Sequence, residues 1–257
     1  MRQYANFEAI IEVAHMKLMS LNIWGGHLHA PLLDFIKEYN DIDIFCFQEV
    51  YHNAPHKIST EDRENHLGIF SELQNALPNH SAYFRPVVDG IYGIGLLIKN
   101  NIKILNEGEI IIHENLAYSG VGPKHTRNLQ FLEFASNSQH YTVINIHGLW
   151  NGLGKTDSPE RIEQSKRIKA FMNTLKTPTI LCGDFNLNPD TESLKIVEKN
   201  MSNLIKINNI TSTRSRFYPK DGKFADYVIT SPDLIINHFS VLPHEVSDHL
   251  PLLLDFA

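Results

Sequence analysis

Ten apolar runs of strand length constrain this chain more than any other feature. They are MKLMSLNIW (16–24), DIFCFQ (43–48), SAYFRPVV (81–88), IGLLIK (94–99), IKILNEGEIII (102–112), NLQFLEFA (128–135), YTVINIHG (141–148), PTILCG (178–183), FADYVIT (224–230) and PLLLDF (251–256). Short runs rich in branched and aromatic residues, bounded by turn formers, are the sequence signal for strands. Helical spacing appears only towards the two ends. APLLDFIKEYN (30–40) gathers Leu33, Phe35 and Ile36 on one side. SPERIEQSKRIKAFMNTLK (158–176) opens with Ser158 as N-cap and Pro159 at the first helical position, followed by Glu160. Ile162, Ser165, Ile168, Phe171, Met172 and Leu175 then form the stripe expected to be buried. With strand and helix alternating at both ends and residues 81–148 nearly all strand, the pattern predicts an α/β (α+β) chain. Two stacked sheets flanked by helices fit it better than a doubly wound sheet.

The 257 residues contain no Gly/Ser-rich or Pro-rich linker and no repeat, so residues 16–257 are expected to form one domain. Residues 1–15, MRQYANFEAIIEVAH, read as a leader, either a short amphipathic helix on Phe7, Ile10, Ile11 and Ala14 or an accessory segment. Glu8 and Glu12 within it argue against a secretory signal, and no later stretch approaches the roughly 18 apolar residues of a membrane span. The only cysteines, Cys46 and Cys182, lie inside apolar runs and read as buried reduced thiols, which points to the cytoplasm. A net charge of −6 argues against a broad nucleic-acid surface. One local exception is STRSRFYPKDGK (212–223), where Arg214, Arg216, Lys220 and Lys223 surround Phe217 and Tyr218, a composition suited to phosphates and stacked rings.

The polar residues that interrupt the strand runs carry the chemistry. Asn22 closes the first run, Gln48 and Glu49 the second, and His147 the seventh. The eighth runs into Asp184 and Asn186, Asp226 opens the ninth, and Asp248 and His249 precede the last. Taken singly, each has a plain explanation: Asp and Asn beside glycine make turns, and a histidine in a strand is usually hydrogen-bonded in the core. Taken together, carboxylates and carboxamides supply the hard oxygen ligands that Mg²⁺ or Mn²⁺ takes. Two histidines supply a proton carrier and an anion donor, and without a nucleophilic Ser or Cys in the set the attacking group is water. If the chain stays extended, Asp184 and Asn186 project to the same side.

The motifs SLNIW, FQEV, NIHG, GDFN, ADYV and SDH, in that order, resemble the signature of the endonuclease/exonuclease/phosphatase superfamily. That group includes pancreatic deoxyribonuclease, abasic-site endonucleases, neutral sphingomyelinases, inositol polyphosphate 5-phosphatases and tyrosyl-DNA phosphodiesterases. The resemblance implies a four-layer α/β/β/α sandwich with two mixed central sheets and a site at one end of them. It also implies a divalent cation, Mg²⁺ or Mn²⁺, on Glu49, with Asn22 and Asp248 close to it. Asp184 and Asn186 would orient and activate water. His249, its ring held by Asp226, would contact the phosphate or move a proton, and His147 would donate to a phosphate oxygen. The base is Asp184 or His249 in this reading.

Arg127, Lys155 and Arg216 are candidate phosphate contacts. Substrate choice is expected in the loops 51–65, 113–126, 150–157 and 212–223. The expected activity is metal-dependent hydrolysis of a phosphoester, a diester ahead of a monoester. Nucleic acid remains a possible substrate, through a repair-type nuclease or a tyrosyl-DNA phosphodiesterase-like enzyme. The reading from another class is a silent phosphate-binding module.

Overall fold

The computed structural model describes residues 15–54, 65–118, 124–136 and 139–257. The leader expected over residues 1–15 lies almost wholly outside these, as do parts of the loops 51–65 and 113–126. In chain order the elements begin with β1 (Met16–Asn22), α1 (His29–Glu38), β2 (Ile44–Tyr51), α2 (Ile69–Ala76), β3 (His80–Val88), β4 (Tyr92–Lys99) and β5 (Lys103–His113). There follow β6 (Arg127–Ser136), β7 (Gln139–His147), α3 (Pro159–Met172), β8 (Thr179–Asp184), α4 (Glu192–Glu198), β9 (Ser202–Asn203) and α5 (Leu204–Ile207). The last three are β10 (Asp226–Thr230), β11 (Ile236–Val241) and β12 (Leu252–Phe256). Each of the ten apolar runs contains a strand.

The strands form two six-stranded mixed sheets, ordered β11-β12-β1-β2-β4-β3 and β5-β6-β7-β8-β10-β9. Alternation along the strands explains how the layers stack. Leu18 of β1, Cys46 of β2 and Ile98 of β4 face the second sheet, and Cys46 meets Cys182 of β8 across the interface, both as free thiols. On the opposite face of the first sheet, Met19, Leu21, Phe45 and Phe47 pack under Leu32, Phe35 and Ile36 of α1 and Ile69, Phe70 and Leu73 of α2. Ile168 and Met172 of α3 and Leu194 and Val197 of α4 join the core of the second sheet. Full burial of each such side chain stabilises the fold by about 1.5–3 kcal/mol.

The α3 stripe departs from expectation. Ser158 caps the helix as predicted, accepting from the Arg161 amide, and Pro159 is its first residue. Arg161 and Gln164 are buried, however, whereas Ile162 is half-exposed. Their polar heads reach the loop after β7: Arg161 Nε donates to the Leu149 carbonyl at 3.1 Å, and Gln164 Oε1 accepts from the Leu149 amide at 2.9 Å. A buried loop backbone needs such partners, and here the helix supplies them.

Two parallel pairs position the site. β1 runs beside β2, with α1 as the crossover, and β7 beside β8, with α3 as the crossover. All four strands therefore deliver their carboxyl ends to one edge of the sandwich, where crossover sheets leave room for ligands.

Candidate active site

Strand register alone aligns most of the polar set. In the second sheet His147 pairs with Asp184, and Asp184 pairs with Asp226, so three candidate side chains form one row across β7, β8 and β10. Directly paired residues point to the same face. Here that face is the interior between the sheets, because Asn22 at the end of β1 reaches over to donate to Asp184 Oδ2 at 3.0 Å. The same Asn22 amide donates to Glu49 Oε1 at 3.0 Å, while its Oδ1 accepts from the Trp24 amide at 3.0 Å. Below this level a buried polar bridge ties the sheets together. Gln48 Nε2 donates to Asn145 Oδ1 at 2.7 Å, and Asn145 Nδ2 donates to the carbonyls of Phe47 and Gly95.

Two of the residues selected from the sequence, Glu49 and Asn186, have left-handed backbone conformations. β2 was expected to stop at Gln48; instead it continues to Tyr51 through an irregularity in its pairing with β4, with Glu49 at φ +57°. Such a conformation is sparsely populated for a residue with a side chain and persists only where its surroundings hold it. The irregularity turns Glu49 towards His147, whose Nε2 lies 3.7 Å from Glu49 Oε1 and 3.8 Å from Asp184 Oδ2. Asn186 has φ +53°, so the chain does not stay extended beyond Asp184. It turns, with the Asn186 amide donating to Asp184 Oδ1 at 2.8 Å and Asn186 Nδ2 donating to the Gly148 carbonyl at 3.2 Å. The preceding Gly183 is required as glycine: it has φ +132°, and an added Cβ would lie 2.1 Å from the Ile146 carbonyl oxygen.

His249 enters from the turn before β12 and is almost fully buried. Its Nδ1 donates to both oxygens of Asp226, at 2.7 and 2.9 Å, and Thr213 Oγ1 donates to Asp226 Oδ2 at 2.8 Å. This leaves Nε2 of His249 3.6 Å from Asp184 Oδ2 and in contact with the guanidinium of Arg214. Arg214 also pairs with Asp248 at 3.1 Å, and its guanidinium lies 4.0 Å from the centre of the Tyr218 ring. Burial, with Arg214 alongside, pushes His249 down to about 3, and burial pushes Asp226 up to about 6. At neutral pH the pair is thus a neutral imidazole hydrogen-bonded to a carboxylate. Burial and the nearby Arg127 hold His147 well below its ordinary value, so it too is neutral.

The cavity these groups line has a volume of about 360 Å³. Of the three expected phosphate contacts, Arg127 and Lys155 line it. Arg216 does not: its side chain is 74% exposed and pairs with Glu245 on the surface. Arg214, two residues earlier, is in the cavity instead, because it forms a β-bridge with His249 and faces inward. Trp24, Tyr92, His125, Trp150, Tyr218 and Lys220 complete the lining; the sequence reading names Tyr218 and Lys220 in the basic-aromatic segment but gives no role to Trp24 or Tyr92. Trp150 and Lys155 come from the loop 150–157 and Arg214, Tyr218 and Lys220 from 212–223, two of the loops expected to choose the substrate. Lys155 donates to the Phe224 carbonyl at 2.7 Å, and burial, with Arg214 nearby, lowers its pKa to about 8.

The donor set fits a divalent cation. Burial and the charge of Asp248 push Glu49 up to about 7, with Asp184 adding to the effect, so the carboxylates repel one another where a cation would relieve them. Glu49, His147 and Asp184 offer ligand atoms within 4.8 Å of one another, as do Asp184, Asp226 and His249. Asn22 and Asp248 stand beside Glu49 and Asp184 with their polar atoms engaged: Asn22 presents its amide nitrogen to the two carboxylates, and Asp248 holds Arg214. Among the described residues, no helix is long and apolar enough to cross a membrane.

Comparison with known proteins agrees with this layout. No curated protein matches the sequence significantly. Solved structures share the fold at low identity. An endonuclease/exonuclease/phosphatase from Bacteroides vulgatus superposes with a TM-score of 0.71 at 18% identity, covering 95% of this chain and 99% of its own. Bacteroides thetaiotaomicron mannosyl-6-phosphatase gives 0.72 at 17%, covering 94% and 99%. A humanized D. rerio TDP2 gives 0.70 at 14%, covering 95% and 99%. The sequence pattern of the Endonuclease/Exonuclease/phosphatase family matches residues 19–249. This chain belongs to that family and is a hydrolase of the class that acts on phosphoester bonds.

Proposed function

We propose that the cavity hydrolyses a phosphodiester by attack of a water molecule, assisted by Mg²⁺ or Mn²⁺. The observation that carries this reading is the convergence of His249, backed by Asp226, with Asp184 and Glu49 in one pocket that also contains Arg127, Lys155 and Arg214. Glu49, with Asn22 and Asp248 beside it, would hold the cation, which would neutralise phosphate charge. The chain's own groups have separable roles. His147 and the cations Arg127, Lys155 and Arg214 take the non-bridging oxygens. Asp184, held by the Asn22 amide and the Asn186 backbone, orients the water. His249 Nε2 faces Asp184 from 3.6 Å and, once Arg214 releases it, accepts or returns a proton there, while Asp226 fixes the tautomer and stabilises the imidazolium. Arg214 now contacts that same nitrogen, and its transfer to a phosphate oxygen would free His249 for the proton.

A second reading, a phosphomonoester substrate, draws support from charge. Four cationic side chains, Arg127, Lys155, Arg214 and Lys220, line a pocket of about 360 Å³, a setting suited to a dianion. The shared fold with a mannosyl-6-phosphatase is in keeping with this. A repair-type nuclease or a tyrosyl-DNA phosphodiesterase-like enzyme would add binding to DNA that falls steeply with salt. The deciding experiment compares hydrolysis of an aryl phosphodiester, an aryl phosphomonoester and a short DNA duplex, with Mg²⁺, Mn²⁺ or chelator, by wild type and Asp184→Ala. Metal-dependent turnover lost in the variant supports the reading, and the preferred substrate ranks the classes. Turnover that persists in Asp184→Ala removes Asp184 from the mechanism. No turnover on any substrate, without metal binding, would favour a silent phosphate-binding module.

A further inference from the structure

Of the histidines that line the cavity, His125 is the one the proposed hydrolysis does not use. It stands just before β6, in a segment held from both sides. The Asn115 amide donates to Thr126 Oγ1 at 3.0 Å, and Asn115 Nδ2 donates to the Lys124 carbonyl at 2.7 Å. The residue is only 1% exposed. Its ring meets Tyr92 edge to face, with centroids 5.4 Å apart and planes at 86°, and its centre lies 6.4 Å from that of His147. Packing and hydrogen bonds thus fix the imidazole before any ligand arrives.

The placement of its hydrogen follows from its partner. Nδ1 lies 2.6 Å from the Thr126 carbonyl oxygen, and a carbonyl only accepts, so Nδ1 carries the hydrogen. Burial, with Arg127 alongside, pushes His125 down to about 2, so at neutral pH Nε2 carries none. Nε2 is then a pure acceptor, and among the described residues it has no partner. A bare lone pair is unsuited to phosphate oxygens, which also accept. Nor is it placed for the cation: His125 belongs to none of the described groups whose ligand atoms gather within 4.8 Å of one another. What suits it is a hydrogen-bond donor on the uncharged part of the substrate.

We propose that His125 Nε2 accepts a hydrogen bond from a substrate hydroxyl, so that the cavity selects phosphoesters of hydroxylated alcohols, of the polyol or sugar type. This assignment rests on the proposed phosphoester site, whose cations take the phosphate end. His147 is assigned there to a non-bridging oxygen, and the 6.4 Å between the two ring centres is spanned by an ester whose hydroxyl sits on a carbon near the esterified one. Trp24 and Trp150 wall the same space. A buried acceptor left empty costs more than its hydrogen bond contributes when made. The pocket therefore rejects esters that lack the hydroxyl rather than merely favouring those that have it.

Calorimetric titration in Mg²⁺, on the Asp184→Ala protein so that binding is read apart from turnover, tests the assignment with paired ligands. Glycerol 1-phosphate is compared with propyl phosphate, and ribose 5-phosphate with tetrahydrofurfuryl phosphate; within each pair only hydroxyl groups differ. The hydroxylated member of at least one pair should bind at least about tenfold more tightly, and the pair with the larger ratio names polyol or sugar. His125→Phe, which keeps an aromatic ring against Tyr92, should bring that ratio close to one. His125→Gln restores an acceptor oxygen and should recover part of it, both variants being checked for native circular dichroism. A ratio near one in both pairs, no measurable binding of any ligand, or a ratio unchanged in His125→Phe would overturn the assignment. Such a failure leaves the proposed hydrolysis standing if wild type turns over the aryl esters. A ratio that depends on His125 without any wild-type turnover would overturn the hydrolysis and keep the assignment.

Discussion

Asp226 holds Nδ1 of His249 with both carboxylate oxygens, at 2.7 and 2.9 Å, although the two residues belong to segments of different sheets. Asp226 begins β10 in the second sheet, and His249 precedes β12 in the first. The bond therefore closes the open edge of the sandwich over Asp184. Ser247 reinforces the closure by donating from Oγ to the Asn22 carbonyl at 2.7 Å. The candidate site is thus held by side chains from both sheets.

Asp226→Asn keeps the size and much of the hydrogen bonding but removes the charge that stabilises a protonated His249. Turnover should fall on the order of 10²- to 10⁴-fold with KM little changed. Steady-state kinetics on the substrate selected above checks this. A loss of less than about threefold would make the pair structural.

Cation affinity at Glu49 should depend on pH. Burial and the neighbouring Asp248 and Asp184 raise Glu49 to about 7, against the opposing influence of Asn22 and Arg127. Below about 7 the carboxyl carries a proton that a cation must displace, so Mg²⁺ affinity should weaken by up to about tenfold per pH unit as pH falls. Above that value it should level off. Calorimetric titration between pH 5.5 and 8.5 (about three decades of proton activity) reads the slope. Glu49→Gln should flatten it while lowering affinity throughout, and chelator should abolish turnover in the wild type.

Lys155 predicts the opposite limb. Its pKa is lowered to about 8, so it is charged below that pH and neutral above it. If it contacts the substrate phosphate, kcat/KM should decline as pH rises through about 8. Lys155→Gln should remove the limb and lower the plateau by roughly 10- to 100-fold, as expected for a charge-assisted hydrogen bond of ~1.5–3 kcal/mol. A limb that survives in the variant assigns the titration to another group.

Much of this arrangement can be read from local pattern. The inner strand runs β1, β2, β7, β8 and β10 are apolar because they are buried on both faces, and their polar ends stand out for the same reason. β11 (INHFSV) was not found because His238 and Ser240 break its apolar character at the sheet edge. α2 and α4 did carry usable signals: Ile69, Phe70 and Leu73 at helical spacing, and Thr191 as N-cap for α4. Choosing Arg216 over Arg214 shows where local pattern fails. Two arginines two positions apart look equivalent until one is bridged to His249, and that pairing joins segments 35 residues apart. Glu49 could be recognised by type, but its left-handed backbone depends on the irregular pairing with β4.

Gln164 illustrates how a buried polar residue in a helix serves a distant site. Its Oε1 accepts from the Leu149 amide at 2.9 Å, beside the Arg161 bond to the Leu149 carbonyl, and the loop so anchored carries Trp150 and Lys155 into the cavity. Gln164→Leu preserves bulk but leaves a buried amide without an acceptor, at a cost of about 1–3 kcal/mol. Urea unfolding should show this as a lower midpoint with an unchanged slope. Because the loop lines the cavity and Asp184, His249 and Glu49 are untouched, KM should rise several-fold while kcat changes less. Equal losses in kcat and kcat/KM would show instead that the loop acts in the transition state.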